Sequence, residues 1–272
     1  MLTSAANPKI KLIRALRQRK QREATGLFVV EGIRHVGEAS QAAEASGLGE
    51  EGWLEYLCYC PDLLTSDFAR ELIQKQQARG LPCYAVSADT FESLAEKENP
   101  QGILAVARQR QRKLAELAPG WFSWGVALVA PQDPGNIGTI LRTIDAVGAS
   151  GLLLLNSSVD PYHPSAVRAS MGSLFWYPVI EAAFDEFTRW AKGNGFHIYG
   201  TSARGSLPAR EITRYARPAI LLMGSEREGL TEEQRSVCEI LIRLPMKGRV
   251  TSLNLAVATG VMLYSMQEKI EG

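Results

Sequence analysis

The chain has 272 residues, 46% of them hydrophobic, and sets 30 lysines and arginines against 29 aspartates and glutamates for a formal net charge of +1. That length suits one large or two ordinary domains with proper cores, and no run reaches the roughly 18 apolar residues of a membrane span. The N-terminus lacks an apolar signal core behind its charges, and Cys58, Cys60, Cys83 and Cys238 show neither zinc spacing nor disulfide density, so a soluble cytoplasmic protein with reduced thiols and no metal site is expected.

Near-zero net charge hides a local asymmetry. Residues 1–22 hold Lys9, Lys11, Arg14, Arg17, Arg19, Lys20 and Arg22 and no acid, with Ile10, Ile13 and Leu16 at helical spacing. By itself such a run reads as a solvated helix face over an apolar stripe, and beside an RNA site as a set of phosphate contacts. Strand-like and helix-like segments then alternate. The pattern predicts strands over 27–30, 54–60, 83–87 and 102–107, helices from about Gly32 and over 67–79, and a short helix near Leu94, together a small α/β sandwich. Residues 109–125 read as a linker: Arg108, Arg110, Arg112 and Lys113 cluster at its start, followed by Pro119-Gly120 and by Trp121, Phe122 and Trp124, which are expected to pack rather than to stack on bases.

From 126 onward the pattern is βα repeated, with strands over 126–130, 152–155, 177–180, 196–201, 219–223 and 240–243 and helices from Asn136, Pro164, Leu230 and Ser252 and over 184–192. This order predicts a mostly parallel sheet with helices on both faces, a fold that binds ligands beyond the carboxyl ends of its strands. A dinucleotide fingerprint is missing: no GxGxxG follows the first strand, and Gly135-x-x-Gly138 is too short. His35, His163 and His197 fall in a helix, a loop and a strand and read as structural or surface residues.

Three polar segments meet that sheet edge: Asn136-Ile137-Gly138 with Arg142, then Gly224-Ser225-Glu226-Arg227-Glu228-Gly229, then Pro245-Met246-Lys247-Gly248 with Ser252-Leu253-Asn254. Asn136 and Ser252 each suit a helix N-cap, Glu226 a brace between loops, and Arg142 a salt bridge to Asp145, as alternatives to chemical roles. In order and spacing the segments resemble the SpoU family of RNA ribose 2′-O-methyltransferases over about 126–270, and Phe28-Val29-Val30-Glu31-Gly32 resembles, less specifically, the family's substrate-binding domain.

The resemblance implies an RNA-binding domain of the L30e/L7Ae type over 1–108, the linker over 109–125 and a trefoil-knotted catalytic domain over 126–272. It implies S-adenosylmethionine as cofactor, lined by Gly224, Leu244, Met246 and Leu253, with Gly224 and Gly248 read as glycines that let backbone approach a flat ring. Arg142, Asn136, Glu226, Ser252 and Asn254 are implied as the catalytic set, Arg142 positioning ribose and phosphate, with a role as base being the family's proposal. Lys9, Lys11, Arg14, Arg17 and Arg168 are implied RNA contacts, and a homodimer through the knot region is implied. The expected reaction is methylation of a ribose 2′-hydroxyl in 23S rRNA; a tRNA ribose methyltransferase and a non-catalytic RNA-binding assembly factor are the alternatives.

Overall fold

The computed structural model describes residues 2, 4, 6–46, 52–96, 99–157 and 159–270, which divide into two compact units. In the first unit the chain runs through α1 (Pro8–Ala15), α2 (Arg19–Thr25), β1 (Leu27–Glu31), α3 (Ile33–Ala45), β2 (Leu54–Tyr59), α4 (Asp67–Ala78), β3 (Cys83–Ala85), α5 (Ala88–Leu94) and β4 (Ile103–Arg108). The sheet order is β1-β4-β2-β3, antiparallel except for the β2/β3 pair. Strand alternation sends Tyr56, Cys58, Leu104 and Val106 to one face, where the expected stripe Ile10, Ile13 and Leu16 covers them together with Phe91 and Leu94.

The second unit begins at Gln111, and the chain continues through β5 (Trp124–Val129), α6 (Pro134–Val147), β6 (Leu152–Leu155), α7 (Pro164–Ala169), which belongs to the first unit, β7 (Val179–Ala182), α8 (Phe184–Gly193), β8 (His197–Thr201), β9 (Leu207–Pro208), β10 (Ala219–Met223), α9 (Glu232–Ser236), β11 (Ile240–Arg243) and α10 (Leu255–Gln267). Its seven strands are ordered β7-β6-β5-β10-β8-β11-β9, and every neighbouring pair is parallel. Ala127, Val129, Leu153, Leu155, Ile220 and Leu222 pack on one face with Phe184 and Phe187 of α8 and with Leu114, Leu117 and Phe122 of the expected linker. Val126, Leu128, Leu152 and Leu154, pointing the other way, are equally buried, so both faces are covered as the apolar runs required.

Tyr162–Trp176, expected within the catalytic half, belongs to the first unit. The cause is aromatic and polar docking: Tyr162 and Phe175 meet the Phe28 ring at 4.7 and 6.4 Å, Trp53 meets Phe175 at 5.3 Å, and Arg110 donates to the Phe175 carbonyl at 2.7 Å. Sequence periodicity sees none of these partners, which lie more than fifty residues away.

Candidate active site

The site lies at the carboxyl edge of the parallel sheet. β5 is followed by Ala130, a non-glycine residue at φ 44°, which turns the chain out of the sheet. The α6 cap is Asp133, whose Oδ1 accepts the Gly135 N–H at 2.8 Å with Pro134 in the first turn. The expected cap, Asn136, therefore sits inside the helix, only 7% exposed, with its amide free for other partners. The pair Asp133-Pro134 was a legible cap signal in the sequence. On α10 the cap is likewise displaced from Ser252 to Asn254, whose Oδ1 accepts the N–H groups of Ala256 and Val257 at 2.9 and 3.3 Å.

That cap orients a relay through all three motifs. Since the Asn254 oxygen is taken by backbone donors, its Nδ2 must face outward, and it donates to Asn136 Oδ1 at 3.1 Å. Asn136 Nδ2 in turn donates to Glu226 Oε1 at 3.3 Å, and the same carboxylate oxygen accepts the Gln132 N–H at 3.4 Å. Two amides and a carboxylate thus tie the loop after β5, the loop after β10 and the start of α10 together, with every donor matched to an acceptor. Gly260 of α10 faces Thr143 of α6, so the two helices run side by side in the same direction with both N-termini at the site.

The glycines divide differently from expectation. A Cβ on Gly224 would lie 2.2 Å from the Gly229 carbonyl carbon, so this glycine is required by its own loop, which closes through Ser225 and Gly229 exchanging backbone hydrogen bonds. Gly248 meets nothing within 4 Å. Between 244 and 253 no backbone-to-backbone hydrogen bond is made among the described residues, leaving a run of open N–H and C=O groups beside Met246 and Leu253, which are 37% and 39% exposed. Open backbone polar groups next to exposed apolar side chains suit an adenine, whose edge needs hydrogen bonds and whose faces need apolar cover; S-adenosylmethionine fits this edge.

Arg142 lies six residues beyond Asn136 on α6, exposed, and among the described residues it makes no hydrogen bond or ion pair. Its alternative partner Asp145 accepts the Tyr177 hydroxyl at 3.0 Å instead. Ser252 is exposed ahead of the α10 cap.

Four of the five expected RNA cations have partners within the first unit. Arg17 donates to the carbonyls of Ser93, Leu94 and Ala95, closing the end of α5, and Arg14 donates to Ser93 Oγ. Lys9 Nζ lies over the rings of Tyr56 and Tyr84 at 4.5 and 4.7 Å. Arg168 pairs with Glu96 at 3.0 Å while its carbonyl accepts from His35 Nε2, which must therefore carry a proton. Lys11 is exposed.

With this geometry in view, comparison with known proteins identifies the class. Residues 123–264 match the model described as the SpoU rRNA Methylase family, and residues 7–105 match the MRM3-like substrate binding domain. The chain belongs to the SpoU rRNA methylase family. It is 30% identical to the 23S rRNA (guanosine(2553)-2′-O)-methyltransferase of Bacillus subtilis (strain 168), over 98% of each chain. It is 32% identical to the 23S rRNA (uridine(2479)-2′-O)-methyltransferase of Streptomyces viridochromogenes, over 94% of this chain and 88% of the relative. Among solved structures, the AdoMet-bound rRNA methyltransferase from Sinorhizobium meliloti superposes with a TM-score of 0.84 at 36% identity, covering 97% of this chain and 95% of that one.

Proposed function

We propose that this protein transfers a methyl group from S-adenosylmethionine to a ribose 2′-hydroxyl of 23S rRNA. The observation that carries the reading is the Glu226–Asn136–Asn254 relay, which fixes three loops around an edge suited to the cofactor and leaves the Arg142 guanidinium unspent. When bound, the cofactor supplies an electrophilic methyl on a sulfonium. The 2′-oxygen forms the new C–O bond as the S–CH₃ bond breaks, and the hydroxyl proton leaves to solvent or to a base.

Within that reaction Arg142 holds the phosphate next to the target ribose and orients the 2′-oxygen, because arginine as a residue type is a permanent cation with paired donors. Asn136, Glu226 and Asn254 keep the loops in place, Ser252 contacts the substrate side, and Gly224, Leu244, Met246 and Leu253 hold the cofactor by backbone and apolar contact. The same reading includes a trefoil knot, with the chain after β11 threading back to lay α10 beside α6. A homodimer through this region is part of it as well. Val257, Val261 and Tyr264 form an exposed apolar row along α10, a surface that suits burial against a second copy. A cytoplasmic location is part of the same reading; no helix among the described residues is long and apolar enough to cross a membrane.

The test is to incubate the protein with labelled S-adenosylmethionine and unmodified 23S rRNA or tRNA transcripts, then identify the modified nucleoside by mass. A 2′-O-methylated nucleoside from 23S rRNA is expected. Label confined to tRNA would correct the substrate, and RNA binding without transfer to either would favour an assembly factor. Light scattering at micromolar concentration should give a dimeric mass, and a monomeric mass would end that part of the reading.

A further inference from the structure

Most cations expected to meet RNA in the first unit are spent on its own carbonyls, rings and carboxylates, which raises the question of what surface this unit offers a substrate. Two large aromatic rings stand out. Phe68, near the start of α4, is 50% exposed, and Trp176, at the end of the Tyr162–Trp176 segment, is 43% exposed. Both are anchored to consecutive residues of α3. The Phe68 ring lies over Gly37, where an added Cβ would sit 3.3 Å from it, so the glycine is the seat of the ring. The Trp176 indole N–H donates to Glu38 Oε2 at 2.9 Å, and Gly172 packs so closely on Glu38 that a Cβ there would lie 2.5 Å from its Cγ.

On a helix each residue advances about 100°, so Gly37 and Glu38 lie on either side of the line through Arg34 and Gln41. Arg34 and Gln41 are both exposed, and Arg34 has no hydrogen bond or ion pair among the described residues. The arrangement is therefore a guanidinium and an amide between two fixed, half-exposed aromatic rings. The acid on the Trp176 side of that line, Glu38, argues against a phosphate as the group received and in favour of a base, from whose amino groups a carboxylate can accept hydrogen bonds and whose faces stack on aromatic rings and guanidinium planes.

We propose that Phe68, Trp176 and Arg34 form a platform for unpaired RNA bases, and that the Tyr162–Trp176 segment completes the substrate-binding unit by supplying one of its two rings. The match to the substrate-binding model ends at residue 105, so one of the two rings of this platform comes from chain beyond it. The inference rests on the reading of the protein as an RNA-modifying enzyme and adds the surface and the feature it reads: unpaired bases of the substrate RNA.

The experiment uses the full chain and measures binding of a fluorescein-labelled single-stranded RNA oligonucleotide and of a 23S rRNA transcript, together with KM for the transcript and kcat. F68A and W176A should each weaken both RNAs roughly tenfold and raise KM for the transcript, with kcat and the affinity for S-adenosylmethionine unchanged. F68W should restore binding and F68L should not, which separates stacking from loss of apolar surface. If W176A lowers the unfolding temperature, W176F decides instead: it should keep most of the binding while losing the bond to Glu38. RNA affinities within twofold of wild type for F68A and for the folded Trp176 variant would overturn the proposal. A protein that binds RNA through this platform but transfers no methyl would overturn the assigned reaction alone; one that methylates indifferently to these substitutions would overturn the platform alone.

Discussion

Arg17 and Arg22 of the first unit are used to finish helices, whereas Arg142 of the motif helix in the second is left open. Arg17 caps the last carbonyls of α5, and Arg22, 1% exposed, donates to the carbonyls of Leu16 and Arg17 at the end of α1 at 2.7 and 2.8 Å. Those carbonyls have no partner within their helices, and a cation is favoured at that end of the dipole. Arg142 has the opposite surroundings: α6 ends on Gly148 in a left-handed cap, and Asp145 is held by Tyr177, so nothing inside the unit claims the guanidinium. A count of basic residues does not tell these two uses apart, and the partners of each residue separate cations with a structural task from those left open.

The contrast is broken most directly by Arg142→Ala. Methyl transfer should fall by about a hundredfold or more, as for loss of one aimed donor, with the unfolding temperature and RNA binding nearly unchanged. If activity survived, the site assignment would fail. Arg22→Ala should do the reverse, costing about 2–3 kcal/mol in denaturant unfolding by stranding buried carbonyls, with the activity per folded molecule kept.

Glu226→Gln sharpens the comparison within the site. The amide keeps an oxygen for the Asn136 and Gln132 donors, so stability should change by less than about 1 kcal/mol, while Glu226→Ala should loosen all three loops and raise KM for S-adenosylmethionine several-fold. Equal kinetics for the two variants would show that the relay does not position the cofactor edge.

The smallest effect concerns the first unit. The hydrogen bond from Lys75 is the main cause holding the Glu44 carboxyl below its ordinary value of 4.5, against an opposing push from burial. A carboxyl with a lowered folded-state pKa stabilises the fold above its unfolded value, and that contribution disappears as pH falls through the lowered one. The stability gap between wild type and Glu44→Gln should therefore be constant near neutrality and close below about pH 4.5; a gap that widened on acidification would contradict the ion pair. Its partners are exposed enough that high salt should shrink it as well.

Most elements and the class were legible in the chain, while the two-residue strand β9 was not. Apolar runs such as 219–223 and 240–243 coincide with β10 and β11, the stripe of Ile10, Ile13 and Leu16 is the buried face of α1, and motif spacing placed Asn136, Glu226 and Asn254 at one sheet edge. Local periodicity and turn chemistry carry that information because each element buries its own face. Long-range packing fixed the rest: that Asn254 and not Ser252 caps α10, that Gly224 is required by Gly229 of its own loop, that Tyr162–Trp176 folds with the first unit, and which cations find a partner inside their unit. Each of these depends on a hydrogen-bond partner, a ring or a backbone atom distant in sequence or hidden by loop geometry, and the identity of a residue does not state which partner claims it first.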